Sequence, residues 1–269
     1  MSVAVVFDSA GTLLRTYRMA KNVITGELLE DVETTILTFE DPERVLCVIH
    51  GHSRDFIAAD PDMFVSEYLT ERQIGFGISC TRKVVSIDEI RKIIEGDRGA
   101  RIRDMQECMR VIWSKIREEE IVGLNNGVIV HTGIFGIEFT VTAGGTPFPG
   151  ARETIKALHD LGVPAYIASG DREAKLERMA DYLGIPRDRV FGVATPSIKE
   201  QIIMDLKEQF ETVLMVGDSI NDLRAMRAAD IAILTDQQNE DKPSELVKAA
   251  DIRIRDLREV TAIVSSLRR

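Results

Sequence analysis

Residues 197–235 read SIKEQIIMDLKEQFETVLMVGDSINDLRAMRAADIAILT. Residues 197–209 have the pattern of a helix. TVLMVGD (212–218) is a buried strand, 221–229 a second helix and DIAILT (230–235) a further strand. A strand, a helix and another strand of the same apolar character are the elements of a parallel sheet. Moving upstream, GARETIKALHDL (150–161) reads as a helix and VPAYIAS (163–169) as a buried strand. Residues 172–183 form an amphipathic helix stopped by Gly184 and Pro186, and RVFGVAT (189–195) is a short strand. Downstream come a short helix over 244–249, the strand DIRIR (251–255) and a final helix from Asp256. Such alternation predicts a parallel sheet covered on both faces.

The first strand, Val3 to Phe7, has the same character, but no helix promptly follows it. Between 15 and 145 the rhythm breaks. Strands are expected at RVLCVIH (44–50) and QIGFGIS (73–79), and helices near 87–95 and 103–119. A hairpin is expected from GVIVHTG (127–133) and FGIEFTVT (135–142), and GGTPFPG (144–150) reads as a Gly/Pro-rich return. The predicted fold is α/β, a doubly wound, Rossmann-like parallel core made of residues 1–16 and 145–269. An α+β domain, residues 17–144, is inserted after the first strand.

The chain has 269 residues, a net charge of −10 and 44% hydrophobic residues, the balance of a soluble globular protein. An acidic chain is a poor candidate for wrapping nucleic acid or anionic lipid. Three widely spaced cysteines, Cys47, Cys80 and Cys108, fit neither a zinc motif nor a disulfide framework. No apolar stretch has the length of a membrane span, and the first apolar run is too short for a signal peptide. A cytoplasmic protein is expected, with no nucleic-acid or membrane partner.

Ligands of open parallel sheets bind beyond the carboxyl ends of the strands. The first strand ends in Asp8, followed by Ser9-Ala10-Gly11-Thr12. VPAYIAS ends in Ser169-Gly170-Asp171. TVLMVGD ends in Asp218, with Asn221 and Asp222 just after, and Lys199 lies near the start of the preceding helix. Asp8, Asp218 and Asp222 make a hard oxygen site suited to Mg²⁺. Lys199 would offset charge on a phosphoryl group, and Ser169 and the glycine amides would donate to its oxygens.

Each residue also has a plainer reading. An acid at a helix start commonly caps it, which applies to Asp218, Asp222 and equally to Asp171. A lysine near a helix N-terminus opposes the dipole, which favours a task for Lys199. His50 and His52 form an H-x-H pair, for which a polar loop with a helix starting at Ser53 is preferred over a metal or acid role. His131 reads as a solvated strand face, Trp113 as core beside Met109, Ile112 and Ile116, and 117–120 as a solvated helix end. The GFG at 75–77 reads as a closely packed strand.

In order along the chain, Asp8-Ser9-Ala10-Gly11-Thr12, Ser169, Lys199 and Gly217-Asp218-Ser219-Ile220-Asn221-Asp222 resemble the four motifs of the haloacid dehalogenase superfamily. The 199–233 segment is especially similar to the phosphorylation domain of P-type ATPases and to related soluble phosphatases. The resemblance implies a Mg²⁺-dependent phosphatase or phosphotransferase acting on a small phosphorylated substrate, with Asp8 as the nucleophile that forms an aspartyl-phosphate. It implies Ser169 and Lys199 as catalytic partners, with Gly11, Thr12, Ser169, Gly170 and Lys199 around the phosphate. Asp8, the backbone carbonyl of Ala10, Asp218 and Asp222 would hold the metal, and the insert at 17–144 would be a cap.

The departure is Ala10. Most family phosphatases have a second aspartate there, which protonates the leaving oxygen and then activates water, a contribution of roughly 10²–10⁴-fold. P-type ATPases carry threonine there and phosphonoacetaldehyde hydrolases alanine, and both still form the aspartyl-phosphate. Two other readings stay open. One is a phosphonate-cleaving hydrolase, which needs a Schiff-base lysine in the cap (Lys21, Lys83, Lys92 or Lys115). The other is a non-catalytic module that binds phosphate without turnover.

Overall fold

The computed structural model describes residues 2–116, 124–171, 173–239 and 241–267. The chain divides into two compact units, Met1–Thr16 with Thr146–Arg269, and Tyr17–Gly145. In chain order the elements begin with β1 (Val3–Phe7), β2 (Leu14–Asn22), β3 (Leu28–Glu30), α1 (Thr34–Phe39), β4 (Arg44–Ile49), α2 (Ser53–Ala58), α3 (Val65–Glu71) and β5 (Phe76–Thr81). They continue with α4 (Ile87–Gly96), α5 (Ile102–Lys115), β6 (Asn125–His131), β7 (Gly136–Pro147), α6 (Ala151–Asp160), β8 (Ala165–Ala168), α7 (Glu173–Leu183) and β9 (Val190–Phe191). The chain closes with α8 (Pro196–Lys207), β10 (Thr212–Gly217), α9 (Leu223–Ala228), β11 (Ile231–Thr235), α10 (Ser244–Ala249), β12 (Ile252–Ile254) and α11 (Arg258–Leu267).

The first unit is built on a six-stranded sheet in the order β12-β11-β10-β1-β8-β9, with every pair parallel. The α/β parallel core expected from the alternation is therefore present. All five residues of β1 are buried, as a central strand covered on both faces requires. On one face Val6, Val213, Met215 and Leu234 pack with Ile202, Ile203 and Leu206 of α8 and with Leu223 and Met226 of α9. Later strands lie to both sides of β1, so the strand order reverses there. That makes the carboxyl ends of β1, β8 and β10 the crevice where such sheets take ligands.

The second unit has an antiparallel sheet in the order β3-β2-β7-β6-β4-β5. Its strands sort their side chains with period two. Val45, Cys47, Ile49, Val128 and Val130 pack against α2, α3, α4 and α5 through Phe56, Tyr68, Ile93 and Met109. Leu46 and Ile129 point the other way, to Leu37 of α1. All three cysteines are free thiols, and burial pushes Cys47 up to about 12 and Cys108 up to about 11. No helix among the described residues is long and apolar enough to cross a membrane.

The structure corrects several local expectations. The strand expected at 73–79 runs Phe76–Thr81, and the one expected at 189–195 is only Val190–Phe191. The segment after Asp8 soon becomes β2, a nine-residue strand whose sequence LRTYRMAKN hides it among polar residues. Thr16 lies within β2, and Gly145 and Thr146 lie within β7. The expected return at 144–150 is therefore largely paired strand, and β2 and β7 are neighbours in one sheet. Trp113 is only half-buried, because it flanks the apolar stripe of α5 rather than lying on it with Met109 and Ile112. His131 is not a solvated residue. Its Nε2 lies 3.5 Å from Asp41, and its Nδ1 accepts from the amides of Gly133 and Ile134. The expected charged helix end at 117–120 lies outside the described residues.

Gly127 of β6 tests the insert's packing. A Cβ there would stand 2.4 Å from the Cys47 carbonyl oxygen, a backbone atom that cannot swing aside. Gly127→Ala is expected to destabilise the protein by about 1–3 kcal/mol in denaturant unfolding. Gly96→Ala, with nothing within 4 Å of the added carbon, should not lose stability.

Candidate functional site

The apolar strands β1 and β10 each deliver a carboxylate as they end. Asp8 follows β1 and is buried; its amide donates to Val216 at 2.9 Å, which fixes it beside β10. The next turn is held by the Ser9 carbonyl, which accepts from the amides of Thr12, Leu13 and Leu14. Gly11 has φ +82°, and a Cβ there would lie 2.3 Å from Asp218 Oδ2. Glycine is thus required twice over, for the left-handed backbone and for the approach of the Asp218 carboxylate.

Asp222 organises the other side. Its Oδ2 accepts from the amides of Asp218 (3.1 Å) and Ser219 (3.2 Å) and from Ser219 Oγ (3.3 Å). This reciprocal cap closes the turn between β10 and α9. Gly217 makes room for it, since a Cβ there would lie 2.6 Å from the same oxygen. The capping reading of Asp222 and its membership of the acidic site therefore hold together, one on each carboxylate oxygen.

Lys199 is the fourth residue of α8, a helix begun by Thr195, whose hydroxyl accepts from the Ile198 amide, and by Pro196. Three, four and seven residues on, Ile202, Ile203 and Leu206 are buried, so Lys199 shares the buried stripe. Its Nζ donates to Asp8 Oδ1 at 2.5 Å and to Asp222 Oδ1 at 2.7 Å. The macrodipole penalty is outweighed by two carboxylates.

Burial first, and the Asp222 charge next, hold the Asp8 carboxyl well above the usual carboxylate range, while Lys199 pulls it down. Burial works against the charge on Lys199, but Asp8 and Asp222 outweigh it and keep the ammonium above its ordinary range. One oxygen each from Asp8, Asp218 and Asp222 lies within 4.8 Å of the other two. Three converging carboxylate oxygens at the end of a parallel sheet are donors that suit a small hard cation. Asp218 also meets a lysine absent from the sequence reading. Lys242 Nζ donates to the Asp218 carbonyl at 2.7 Å and lies 3.2 Å from Asp218 Oδ2. Its loop reads as a polar connection, and a contact 24 residues away along the chain leaves no local pattern.

Ser169 is buried beyond β8; its amide donates to Phe191, and its Oγ accepts from the Asp171 amide at 3.2 Å. Gly170 is exposed beside it. The buried Thr12 hydroxyl has no hydrogen-bond partner among the described residues. His50 and His52 belong to the other unit. His50 is exposed, with its ring beside Gly75 and Gly77, and His52 precedes α2, which starts at Ser53.

Lys199→Ala is expected to leave Asp8 and Asp222 buried without this cation. Breaking a buried pair costs about 3–5 kcal/mol, measured by denaturant unfolding at neutral pH in chelator. Asp8, already held above its ordinary range by burial and the Asp222 charge, would lose the cation that pulls it down, so the folded state binds more protons at that group. The variant's deficit should shrink as pH falls.

The family model for haloacid dehalogenase-like hydrolases matches residues 3–230. A soluble P-type ATPase-like phosphatase of Methanocaldococcus jannaschii is 31% identical over 264 residues, covering 98% of this chain and 93% of that one. A copper-transporting ATPase of Helicobacter pylori is 27% identical over 256 residues. That match covers 92% of this chain but only 31% of the transporter. Among solved structures, a phospho-aspartyl intermediate analogue of phosphoserine phosphatase aligns over 97% of this chain and 98% of its own. Its sequence identity is 16% and its TM-score 0.46.

Proposed function

The chain belongs to the haloacid dehalogenase-like hydrolases and is a phosphohydrolase, and from that premise we propose that it turns over a small phosphorylated substrate through an aspartyl-phosphate on Asp8. The observation that carries the proposal is Lys199, whose ammonium is shared between Asp8 and Asp222 while Asp218 completes the acidic group. Three acids gathered at the ligand-binding edge of the sheet, with only partial compensation, suit a site built to receive further positive charge.

In the proposed reaction a carboxylate oxygen of Asp8 attacks phosphorus. The bond to the leaving oxygen breaks, and that oxygen departs with its electron pair. Water then attacks the acyl phosphate, the P–O bond to Asp8 breaks, and inorganic phosphate leaves with the Asp8 carboxylate restored. Lys199 pulls the Asp8 carboxyl toward its ionised form against burial and remains as a cation beside the transferring group. Ser169 and the amides near Gly170, with Gly11 and the unpartnered Thr12 hydroxyl, are assigned to the phosphoryl oxygens. Asp8, the Ala10 carbonyl and Asp218 would hold Mg²⁺, with Asp222 supporting Asp218. The bound ion would supply charge to offset that of the phosphoryl group. Residues 17–144 are assigned substrate selection.

Position 10 offers no acid. The proposal therefore favours substrates whose leaving group needs no proton, such as acyl phosphates. The phosphonate-hydrolase alternative gains no support at three of its four candidate lysines, Lys92 being exposed. Lys21 is bound to Asp104 and Glu107, Lys83 to Glu43, and Lys115 to Glu30. Ion pairs hold Lys21 and Lys115 above the ordinary lysine range, opposite to what a Schiff-base amine requires.

Asp8→Asn should reduce phosphate release from acyl phosphates to background; undiminished release would end the Asp8 reading, and wild-type release no faster than background would return the non-catalytic module. Wild type should show a burst of leaving group followed by a slow steady state. Ala10→Asp should accelerate hydrolysis of alkyl phosphate esters by up to about 10²-fold, with little change for an acyl phosphate. Equal effects on both would place the proton source elsewhere.

A further inference from the structure

The lysine at Asp218 has no part in the reaction just described, yet it is built in as firmly as Lys199. The Lys242 side chain is 4% exposed, equal to that of Lys199. An ammonium is not taken out of water without partners, and among the described residues those of Lys242 are the carbonyl and carboxylate of Asp218. Its loop is anchored on the segment that follows Asp8. Gln237 Nε2 donates to the Thr12 carbonyl at 3.5 Å. Gln238 accepts from the Thr16 amide at 2.9 Å and donates to the Thr16 carbonyl at 3.1 Å.

Lys199 pairs with Asp8 and Asp222, while Lys242 pairs with Asp218. Between them the two lysines reach all three carboxylates. We propose that Lys242 is an internal counter-ion that occupies the Asp218 end of the acidic group in the metal-free protein and must withdraw for a divalent cation to bind there. The inference rests on the metal role of Asp218 proposed above. An ammonium and a divalent cation repel each other, and both would draw on the one Asp218 carboxylate. The two states exclude one another, and apparent metal affinity is lowered by the fraction of molecules in which Lys242 is seated. The same contact offsets the repulsion among the three clustered acids.

The test uses the full chain and Mn²⁺ as probe, with binding followed by electron paramagnetic resonance and by calorimetry. Lys242→Met keeps the apolar stem and removes the charge. It should bind Mn²⁺ about tenfold more tightly than wild type, the gain expected if Lys242 is seated in about nine molecules of ten. Its unfolding temperature in chelator should fall below that of wild type, and the difference should close at saturating Mn²⁺. Lys242→Gln should tighten binding in the same direction, which keeps the test decisive if the methionine variant does not fold. Lys242→Arg, which keeps the charge, should stay near wild type. Binding that is unchanged or weaker in both uncharged variants overturns the inference and makes Lys242 an ordinary support for Asp218. Asp218→Asn separates the two levels. If it binds Mn²⁺ as wild type does, the metal role of Asp218 falls and the inference with it. If it loses the ion while neither uncharged variant gains affinity, only the counter-ion falls.

Discussion

Three carboxylates brought together at the edge of a buried parallel sheet repel one another, and the site exists because lysines are folded in with them. Lys199 is the central term. Its ammonium bridges Asp8, at the end of β1, and Asp222, in the turn after β10, so it ties two neighbouring strands to helix α8. Removing charges from water costs several kcal/mol per ion, and attraction repays this only with good geometry and further hydrogen bonds. Both conditions are met at Asp222, whose second oxygen takes three donors of its own turn. At Asp8, burial and the neighbouring Asp222 charge outweigh the pull of Lys199 and hold the carboxyl above the ordinary range.

Such close placement of charge is possible only where the chain gives up side chains. At Gly11 and at Gly217 an added Cβ would fall inside the van der Waals surface of a site carboxylate, Asp218 and Asp222 respectively. Strand and turn are therefore fitted to the acids. The apolar strands bring the groups near, and the glycines let them approach the final distances.

The core was readable from sequence because each of its parts leaves a local mark. A strand covered on both faces is an unbroken apolar run, as in VAVVF and TVLMVG. The site residues stand at fixed places just past those runs. The insert was harder to read because its strands are covered differently along their length. LRTYRMAKN, the strand β2, follows three partly buried residues, Thr16, Tyr17 and Arg18, with the buried Met19, Ala20 and Lys21, so its pattern has no period two and resembles a loop. Lys242 was missed for another reason. Its loop is rich in Gln, Asn, Asp and Pro and reads as solvated chain, while its contacts reach Asp218 and, through Gln237 and Gln238, residues more than 220 positions away. Nothing in a window of sequence carries information about partners at that separation.

Ala10 shows how the fold and the chemistry of this site are decoupled. The turn after Asp8 is set by main-chain bonds. The Ser9 carbonyl gathers three amides, and the Gly11 amide donates to the Leu14 carbonyl at 2.7 Å. None of these bonds uses the side chain at position 10. An acid can therefore be present or absent there without disturbing Asp8, the glycine beneath Asp218 or the backbone carbonyl of residue 10. In the proposed reaction, the absence of that acid would remove proton transfer and leave Asp8 able to attack phosphorus. The two half-reactions would then be affected unequally. Attack by Asp8 on a substrate with a good leaving group needs no proton, whereas the water that must reopen the acyl phosphate would find no base at position 10. An alanine there would thus bias the site toward holding phosphate on Asp8, by a change in chemistry that the surrounding main-chain bonds do not register.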